Sequence, residues 1–246
     1  MNSIEKVWKN FLIDVLVNGE KHEKDDGDKL YESMINHAFI PNVLDILFCN
    51  GENINLSMFI DMIGNGVFNI EGYPLKDEAL QSYVKQLDDN KQIFLELDEN
   101  GNMPFIYTYP ERIFNMNSAN RDNQCWGYDQ FDVICNRLRN YHGSNRGVAT
   151  LYSVGLDKDE TDIPCLNWLQ ITIRNNELIL HVMFRSNDLY SAFPSNMLFL
   201  MYLGLKFVEE LKVDYPMLKF KGINYNSTSL HIYESDLEQA KKVIGK

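Results

Sequence analysis

A cysteine and an arginine occupy matching positions on two consecutive strand patterns. Cys165 follows Pro164 at the start of the segment LNWLQITIR, and Arg185 ends the segment ELILHVMFR, with RNNE as the turn between them. Both segments are rich in β-branched and large apolar residues, so they predict an antiparallel hairpin. The hairpin brings Cys165 beside Arg185, and a neighbouring arginine favours the thiolate, which is the nucleophilic form of a cysteine.

Each of these residues also has a structural interpretation. A free cysteine is among the most frequently buried residue types and is usually inert. Arg185 could equally be one half of a structural ion pair. Cys135 is interpreted structurally, because Phe131, Ile134, Cys135 and Leu138 recur at helical spacing and place it on a core-facing side of a helix closed by Gly143.

Composition limits the classes of function. The chain has 246 residues, 45% of them hydrophobic, and a formal net charge of −12, which disfavours a nucleic-acid partner. An anionic small substrate remains compatible if the few arginines converge locally. The four cysteines show no CxxC pair and no histidine cluster, so we expect no metal site and no disulfide framework.

The N-terminus has the pattern of an amphipathic helix, and no apolar run approaches the length of a membrane span. We therefore expect a cytoplasmic protein without a membrane partner.

The remaining patterns indicate an α+β protein with a single domain over residues 1–246. Residues 4–17 and 75–88 have helical spacing, and residues 19–29, GEKHEKDDGDK, predict a mobile polar loop. Mixed strand and turn segments extend to Arg112. Strand patterns begin at residue 146, and SNMLFLMYLGLKFVEELK is apolar almost all round, as in a buried helix. We expect a large, mostly antiparallel or mixed sheet covered by helices.

Four ordered motifs together resemble the thymidylate synthase family. They are PCLNWLQ, RSND twenty residues after the cysteine, FPSN ending at Asn196, and HIY at 231–233. The segments YTYPER and SNR are similar to the tyrosine-bearing loop and the arginine pair of that family. The similarity is good over residues 105–235 and loose over residues 4–90.

The resemblance implies covalent catalysis on a pyrimidine nucleoside monophosphate. In this family a cysteine thiolate adds to C6 of the base, and C5 then attacks the one-carbon unit of 5,10-methylenetetrahydrofolate, the co-substrate. Cys165 takes the role of that nucleophile. The other implied roles are Arg185, Ser186 and, across a homodimer interface, Arg146 for phosphate; Asn196 and Gln170 for the base; His231 and Tyr233 for the sugar; Tyr109 for proton removal at C5; Asp188 for the pterin; and Glu78 as general base.

Some of these residues have alternatives. His231 and Tyr233 could be a half-buried pair on one strand face, Asn196 could be a helix N-cap, and Glu78 could lie on a solvated face. A catalytically reduced family member that only binds a nucleotide would be consistent with a weakened site.

Four departures from the family pattern concern the phosphate site and the access of water. Asn145 precedes Arg146 where the family has a second arginine, and residues 19–29 contain no arginine. Leu166 stands in place of a histidine, and the chain continues for thirteen residues after Tyr233 without a long closing tail. The sequence therefore predicts a weaker or rebuilt phosphate clamp and an active site that water reaches.

Access of water favours 5-hydroxymethylation over the methylation of a thymidylate synthase, since water then adds to the exocyclic methylene in place of hydride. The run Cys-x-Asn-x-x-Gln and the motif RSND are also similar to the deoxycytidylate hydroxymethylase branch. Asn196 favours uracil without excluding cytosine, because an amide can present either end to the base. A ribonucleotide substrate is compatible with Asn145.

Overall fold

A computed structural model of the chain describes residues 3–24, 27–42, 58–59, 61–62, 107–117 and 127–245. The predicted helix over residues 75–88, which contains Glu78, lies outside the described residues. Among those that are described, no helix is both long and apolar enough to cross a membrane.

The described helices form where apolar residues recur at helical spacing. They are α1 (Ser3–Asn18), α2 (Tyr109–Phe114), α3 (Gln130–Asn140), α4 (Val154–Asp157), α5 (Phe193–Leu211) and α6 (Leu237–Val243). Three predictions are thereby confirmed, those of α1, α3 and the buried helix α5. The stretch that ends at Arg112 differs from its prediction, because Thr108 caps a short helix there by a capping box with Glu111.

The strands are β1 (Glu20–Glu23), β2 (Lys29–Pro41), β3 (Met116–Asn117), β4 (Gly127–Tyr128), β5 (Gly147–Thr150), β6 (Leu166–Arg174), β7 (Glu177–Asp188) and β8 (Lys219–Tyr233). In the described part of the chain, β3 and β4 pair with each other, and the main sheet has the order β1-β2-β8-β7-β6-β5. Its pairings are antiparallel except for β7 with β8, which is parallel. The structure is α+β with a mixed, mostly antiparallel sheet, as predicted.

The loop prediction for residues 19–29 is wrong in part. Glu20–Glu23 forms β1, which pairs with the start of β2 from Glu20 opposite Glu32 to Glu23 opposite Lys29. All four β1 residues are exposed, so the strand has no apolar alternation that would have identified it. The strand β1 forms because its backbone pairs with that of β2.

The predicted hairpin of β6 and β7 is confirmed. Arg174 pairs with Glu177, and Asn175 and Asn176 at the turn have φ of 53° and 61°. Positive φ at both central residues is typical of a type I′ turn, and asparagine tolerates it well. The tight turn fixes the register along both strands.

Helices cover one face of the sheet. Leu169, Ile171 and Ile173 of β6 point to that face and are buried with residues of β7, β8, α1, α3 and α5. The other face carries Phe39 and Met183, which are 41% and 40% exposed. Within the described residues this open face has no helix upon it.

Candidate active site

Three strand ends meet at one edge of the sheet. Cys165 lies directly before β6, while β7 ends at Asp188 and β8 ends at Tyr233. Because β6 is antiparallel to β7 and β8 is parallel to β7, the beginning of β6 adjoins the ends of both other strands. The topology therefore gathers the predicted nucleophile, the RSND motif and the HIY motif.

The backbone of Arg185 is bonded to that of Cys165. The Arg185 N–H donates to the Cys165 carbonyl at 2.8 Å. Its guanidinium turns back along the chain, where Nε donates to the Pro164 carbonyl at 3.2 Å and Nη2 to the Ile163 carbonyl at 2.7 Å. The predicted adjacency is present, and Arg185 also holds the segment that leads into Cys165.

Two opposing influences act on the Cys165 thiol. Burial raises its pKa above the ordinary value and is the largest cause, whereas the charge of Arg185 lowers the pKa and that of Lys24 lowers it further. The net direction is upward, so the thiol is mainly protonated at neutral pH. Arg185 acts in the predicted direction but does not outweigh desolvation.

Tyr107 lies beside Cys165, which sequence reasoning missed in favour of Tyr109. The Tyr107 hydroxyl donates to the Ile163 carbonyl at 3.2 Å, and its oxygen interacts with the backbone N–H of Cys165. Tyr109 packs its ring on Phe199, with the centroids 6.0 Å apart. The available signal was the segment YTYPER itself, in which Tyr107 stands two residues before Tyr109.

The His231 imidazole carries a buried atom without a partner. Its Nδ1 lies 3.3 Å from Ser186 Oγ, while Nε2 has no hydrogen-bond partner among the described residues. Burial lowers the His231 pKa to about 4, so the ring is neutral at physiological pH. The Tyr233 ring packs edge-on against it at 5.0 Å. An orphaned buried nitrogen is costly, and a ligand hydroxyl is one group that would satisfy it.

Lys24 is a candidate that sequence reasoning also missed. Its Nζ donates to the Tyr233 hydroxyl at 3.4 Å and lies 5.4 Å from the centroid of that ring. The same charge lowers the pKa of Cys165 and of His231, so the ammonium is close to both. Lys24 comes to this position because β1 pairs with β2. Residues 19–29 contain no arginine, and the cation that they bring to this position is a lysine.

Asn196 lies in the first turn of α5, which begins at Phe193 after the N-cap residue Ala192. The alternative role of Asn196 as an N-cap is therefore wrong. Its Nδ2 donates to Asn187 Oδ1 at 3.1 Å, and Asn187 Nδ2 donates to the Tyr225 hydroxyl at 3.1 Å. Asn187 and Tyr225 are further residues that sequence reasoning did not assign.

Asp188 ends β7 and fixes the turn into α5. Its Oδ1 accepts from the backbone N–H of Tyr190 and of Ser191, each at 3.0 Å. Burial raises the Asp188 pKa above its ordinary value and is a larger influence than these hydrogen bonds. The Asp188 carboxyl group therefore lies at the C-terminal end of β7, near Tyr233, whose pKa it raises.

Two predicted residues lie away from Cys165 within the protomer. Gly147 pairs with Ile171, six residues along β6 from Cys165, so at about 3.3 Å per residue Arg146 is roughly 20 Å from the cysteine. Gln170 Nε2 donates to the Asn145 carbonyl at 2.7 Å, and this bond supports the segment that carries Arg146. Glu78 is outside the described residues.

Among the residues that the structure describes, no group of three or more histidine, cysteine, aspartate or glutamate side chains is placed to hold a metal ion.

Sequence comparison shows the family of the chain. A sequence model of the family described as "Thymidylate synthase" matches residues 6–246. The chain belongs to the thymidylate synthase family. Members of this family are one-carbon transferases that bind a pyrimidine nucleotide and use methylenetetrahydrofolate as co-substrate.

Three curated relatives in this family carry the name "Putative thymidylate synthase". The chain is 27% identical to the one from Methanothermobacter marburgensis over 99% of this chain and 96% of the relative. It is 32% identical to the one from Methanocaldococcus jannaschii over 70% of this chain and 71% of the relative. It is 26% identical to the one from Methanopyrus kandleri over 96% of this chain and 92% of the relative.

The opposing influences on Cys165 predict how its alkylation depends on pH. We expect iodoacetamide to label Cys165 faster as the pH rises, because only the thiolate reacts. In Arg185→Gln the cation that lowers the pKa is lost, so labelling at pH 8 should slow by about three- to tenfold. Peptide mass spectrometry measures the rate at each cysteine separately.

Cys135 is the internal control for this experiment. It is fully buried, and burial raises its pKa to about 12, so its labelling should be slow in both proteins. An unchanged rate at Cys165 in Arg185→Gln would show that the guanidinium does not act on the thiol.

Proposed function

We propose that the protein transfers a one-carbon unit from 5,10-methylenetetrahydrofolate to C5 of a pyrimidine nucleoside monophosphate through a covalent bond between Cys165 and C6. The observation that carries this proposal is the meeting of Cys165, Arg185 and the HIY motif at one edge of the sheet. Covalent addition is needed because C5 of the aromatic ring is otherwise a poor nucleophile.

The proposed reaction begins at C6 of the pyrimidine base. The Cys165 thiolate bonds to C6, and the electron pair of the C5–C6 bond makes C5 nucleophilic. C5 then bonds to the methylene carbon of the folate as one of the two carbon–nitrogen bonds of that carbon breaks, and C5 loses its proton to a base, for which Tyr107, Tyr109 and Glu78 are the candidates. The second carbon–nitrogen bond then breaks, tetrahydrofolate leaves with both electrons of that bond, and an exocyclic methylene remains on the ring.

The binding roles follow the positions of the side chains. Arg185, Ser186 and Lys24 supply two cations and a hydroxyl for the phosphate. We assign His231 Nε2 and the Tyr233 hydroxyl to a sugar hydroxyl. Asn196 presents its amide to the base, and Asp188 at the rim is assigned to the pterin.

We assign 5-hydroxymethylation as the outcome of the last step. Water adds to the exocyclic methylene, Cys165 leaves from C6, and the ring regains its aromatic character. One observation supports access of water: Cys165 is only partly buried. The name of the curated relatives favours the other outcome, in which hydride reduces the methylene to a methyl group.

A homodimer completes the proposed site. On the open face of the sheet, Phe39, Asn224, His181 and Gln170 form one row across β2, β8, β7 and β6. Its mixture of exposed apolar and polar side chains suits the same face of a second copy. Arg146 is far from Cys165 of its own protomer, so we assign it to the phosphate in the partner.

Asn145 stands where the family has an arginine, and the side chain of Arg174 reaches this position from β6. Arg174 Nη2 donates to Asn145 Oδ1 at 2.7 Å, and Arg137 Nη1 donates to the Arg146 carbonyl at 3.0 Å. Among the described residues none of these three arginines forms an ion pair. The guanidinium groups of Arg174 and Arg137 are thus held by neutral acceptors beside Arg146, in a chain of net charge −12, and this cluster of cations suits an anionic group.

The product distinguishes the two outcomes of the last step. With methylenetetrahydrofolate and the deoxy and ribo forms of UMP and CMP, we expect a 5-hydroxymethyl product, tetrahydrofolate, and oxygen-18 from labelled water in the new hydroxyl. Cys165→Ser should abolish turnover. Stoichiometric dihydrofolate with a 5-methyl product would establish methylation instead, and persistence of turnover in Cys165→Ser within tenfold would exclude Cys165 as nucleophile.

Mixing two inactive variants tests the shared site. Cys165→Ser and Arg146→Ala should each lose most activity, but a heterodimer of the two contains one site with both residues intact. We expect activity to return toward one quarter of the wild-type value per protomer after random exchange. Cys165→Ser mixed with Cys165→Ala is the control that should stay inactive. An absence of recovery despite a dimer by light scattering would place Arg146 outside the partner's site.

A further inference from the structure

We propose that Arg112 and Asp157 are positioning residues, whose buried ion pair holds the Tyr107 phenol against the segment that leads into Cys165. The inference rests on the proposed function for one step, the loss of the C5 proton, in which Tyr107 is a candidate base. Three observations carry it: the burial of the pair, the two helices that the pair joins, and the contacts of the Tyr107 ring.

The ion pair lies in the interior of the protein. Arg112 is 6% exposed and Asp157 is 2% exposed. Arg112 Nη2 donates to Asp157 Oδ1 at 2.6 Å, and Nη1 lies 3.5 Å from Oδ2, so both terminal nitrogens face the carboxylate. Burying an ion pair costs desolvation energy, and apolar residues of similar volume often stabilise a protein as well or better. Stability alone therefore does not account for the pair.

The pair joins two short helices that lead to different parts of the site. Arg112 lies in α2, which begins two residues after Tyr107. Asp157 is the last residue of α4, and its Oδ2 also accepts from the backbone N–H of Ser153 at 2.7 Å. From α4 the chain continues to Cys165. The ion pair therefore connects the segment that carries the tyrosine to the segment that carries the cysteine.

The Tyr107 ring is held at its face and at its hydroxyl. The guanidinium carbon of Arg112 lies 5.5 Å from the centroid of the ring, within the range of a cation–π contact. The hydroxyl donates to the Ile163 carbonyl at 3.2 Å, two residues before Cys165. Because Asp157 orients the guanidinium, it also orients the ring that packs on the guanidinium.

The shape of the cation matters as well as its charge. Arginine has a planar fork that binds a carboxylate through two nitrogens, and its flat face packs on an aromatic ring. A lysine at this position could pair with Asp157 as a point charge, but it would offer no flat face to Tyr107. We therefore expect Arg112→Lys to keep the ion pair and to lose the hold on the ring.

Replacing the whole ion pair by apolar residues is the sharpest test, because it leaves no buried charge without a partner. We call Arg112→Met with Asp157→Leu the neutral-pair variant, and we expect thermal unfolding to show that it folds. Iodoacetamide should label Cys165 about three- to tenfold faster at pH 8, because a displaced Tyr107 ring leaves the thiol less desolvated and more accessible. Peptide mass spectrometry measures this rate without any substrate.

A cycle of variants tests whether the pair acts through Tyr107. Release of tritium from C5 of the nucleotide reports the loss of the C5 proton. Its kcat should fall by about 100-fold in Tyr107→Phe and by about tenfold in the neutral-pair variant, with little change in KM. Combining the changes should cost no more than Tyr107→Phe alone, because the pair then has no hydroxyl left to position.

Two further variants keep the test decisive. Arg112→Lys retains both charges, so it supplies the same two measurements if the neutral-pair variant does not fold. Arg139→Met is the matched control, because Arg139 on α3 pairs with Glu210 and Asp214 at the surface. In this control the labelling rate of Cys165 and the kcat should both stay within about twofold of wild type.

The possible outcomes separate this inference from the proposed function. Unchanged labelling of Cys165 in the folded variant, or losses of kcat that multiply when the changes are combined, would overturn the positioning role. Absence of tritium release from UMP, dUMP, CMP and dCMP by wild-type protein would overturn the proposed function, while faster labelling would still establish that the pair holds the segment of Cys165. Faster labelling together with losses that do not multiply would establish the positioning of Tyr107.

Discussion

The pairing of β7 with two neighbours in opposite senses is the constraint on which the site depends. The tight turn at Asn175 and Asn176 fixes the antiparallel register with β6, and the parallel register with β8 brings Asp188 opposite His231. A shift of one residue in either register would move the affected side chains to the other face of the sheet. Cys165, the two cations and the residues proposed for the sugar therefore stay together only while both pairings hold.

The electrostatics of the site follow from burial at these strand ends. Desolvation raises the pKa of Cys165 and lowers that of His231, so both groups are neutral at physiological pH. The cations Arg185 and Lys24 then provide a local positive charge in a chain of net charge −12. This combination suits an anionic substrate whose phosphate binds the cations while the sulfur is activated only during attack.

Much of the architecture can be predicted from the sequence, because the patterns that indicate these elements lie within short segments of the chain. The β6–β7 hairpin follows from β-branched segments around an Asn-Asn turn, and α5 follows from an apolar run long enough for a buried helix. The strand β1 is not accessible in this way, since its four residues are all exposed and it exists only through pairing with β2. Lys24 was missed for that reason, and the Asn187–Tyr225 bond was missed because it joins residues 38 positions apart.

The most direct test of the account is the mass of the complex formed with a 5-fluoropyrimidine nucleoside monophosphate and methylenetetrahydrofolate. Fluorine at C5 cannot leave as a cation, so the reaction should stop once C5 has bonded to the methylene carbon. We predict a denaturation-resistant adduct of protein, nucleotide and folate, located by peptide mapping at Cys165 and absent from Cys165→Ser. An adduct at another cysteine, or only non-covalent binding, would contradict the covalent mechanism.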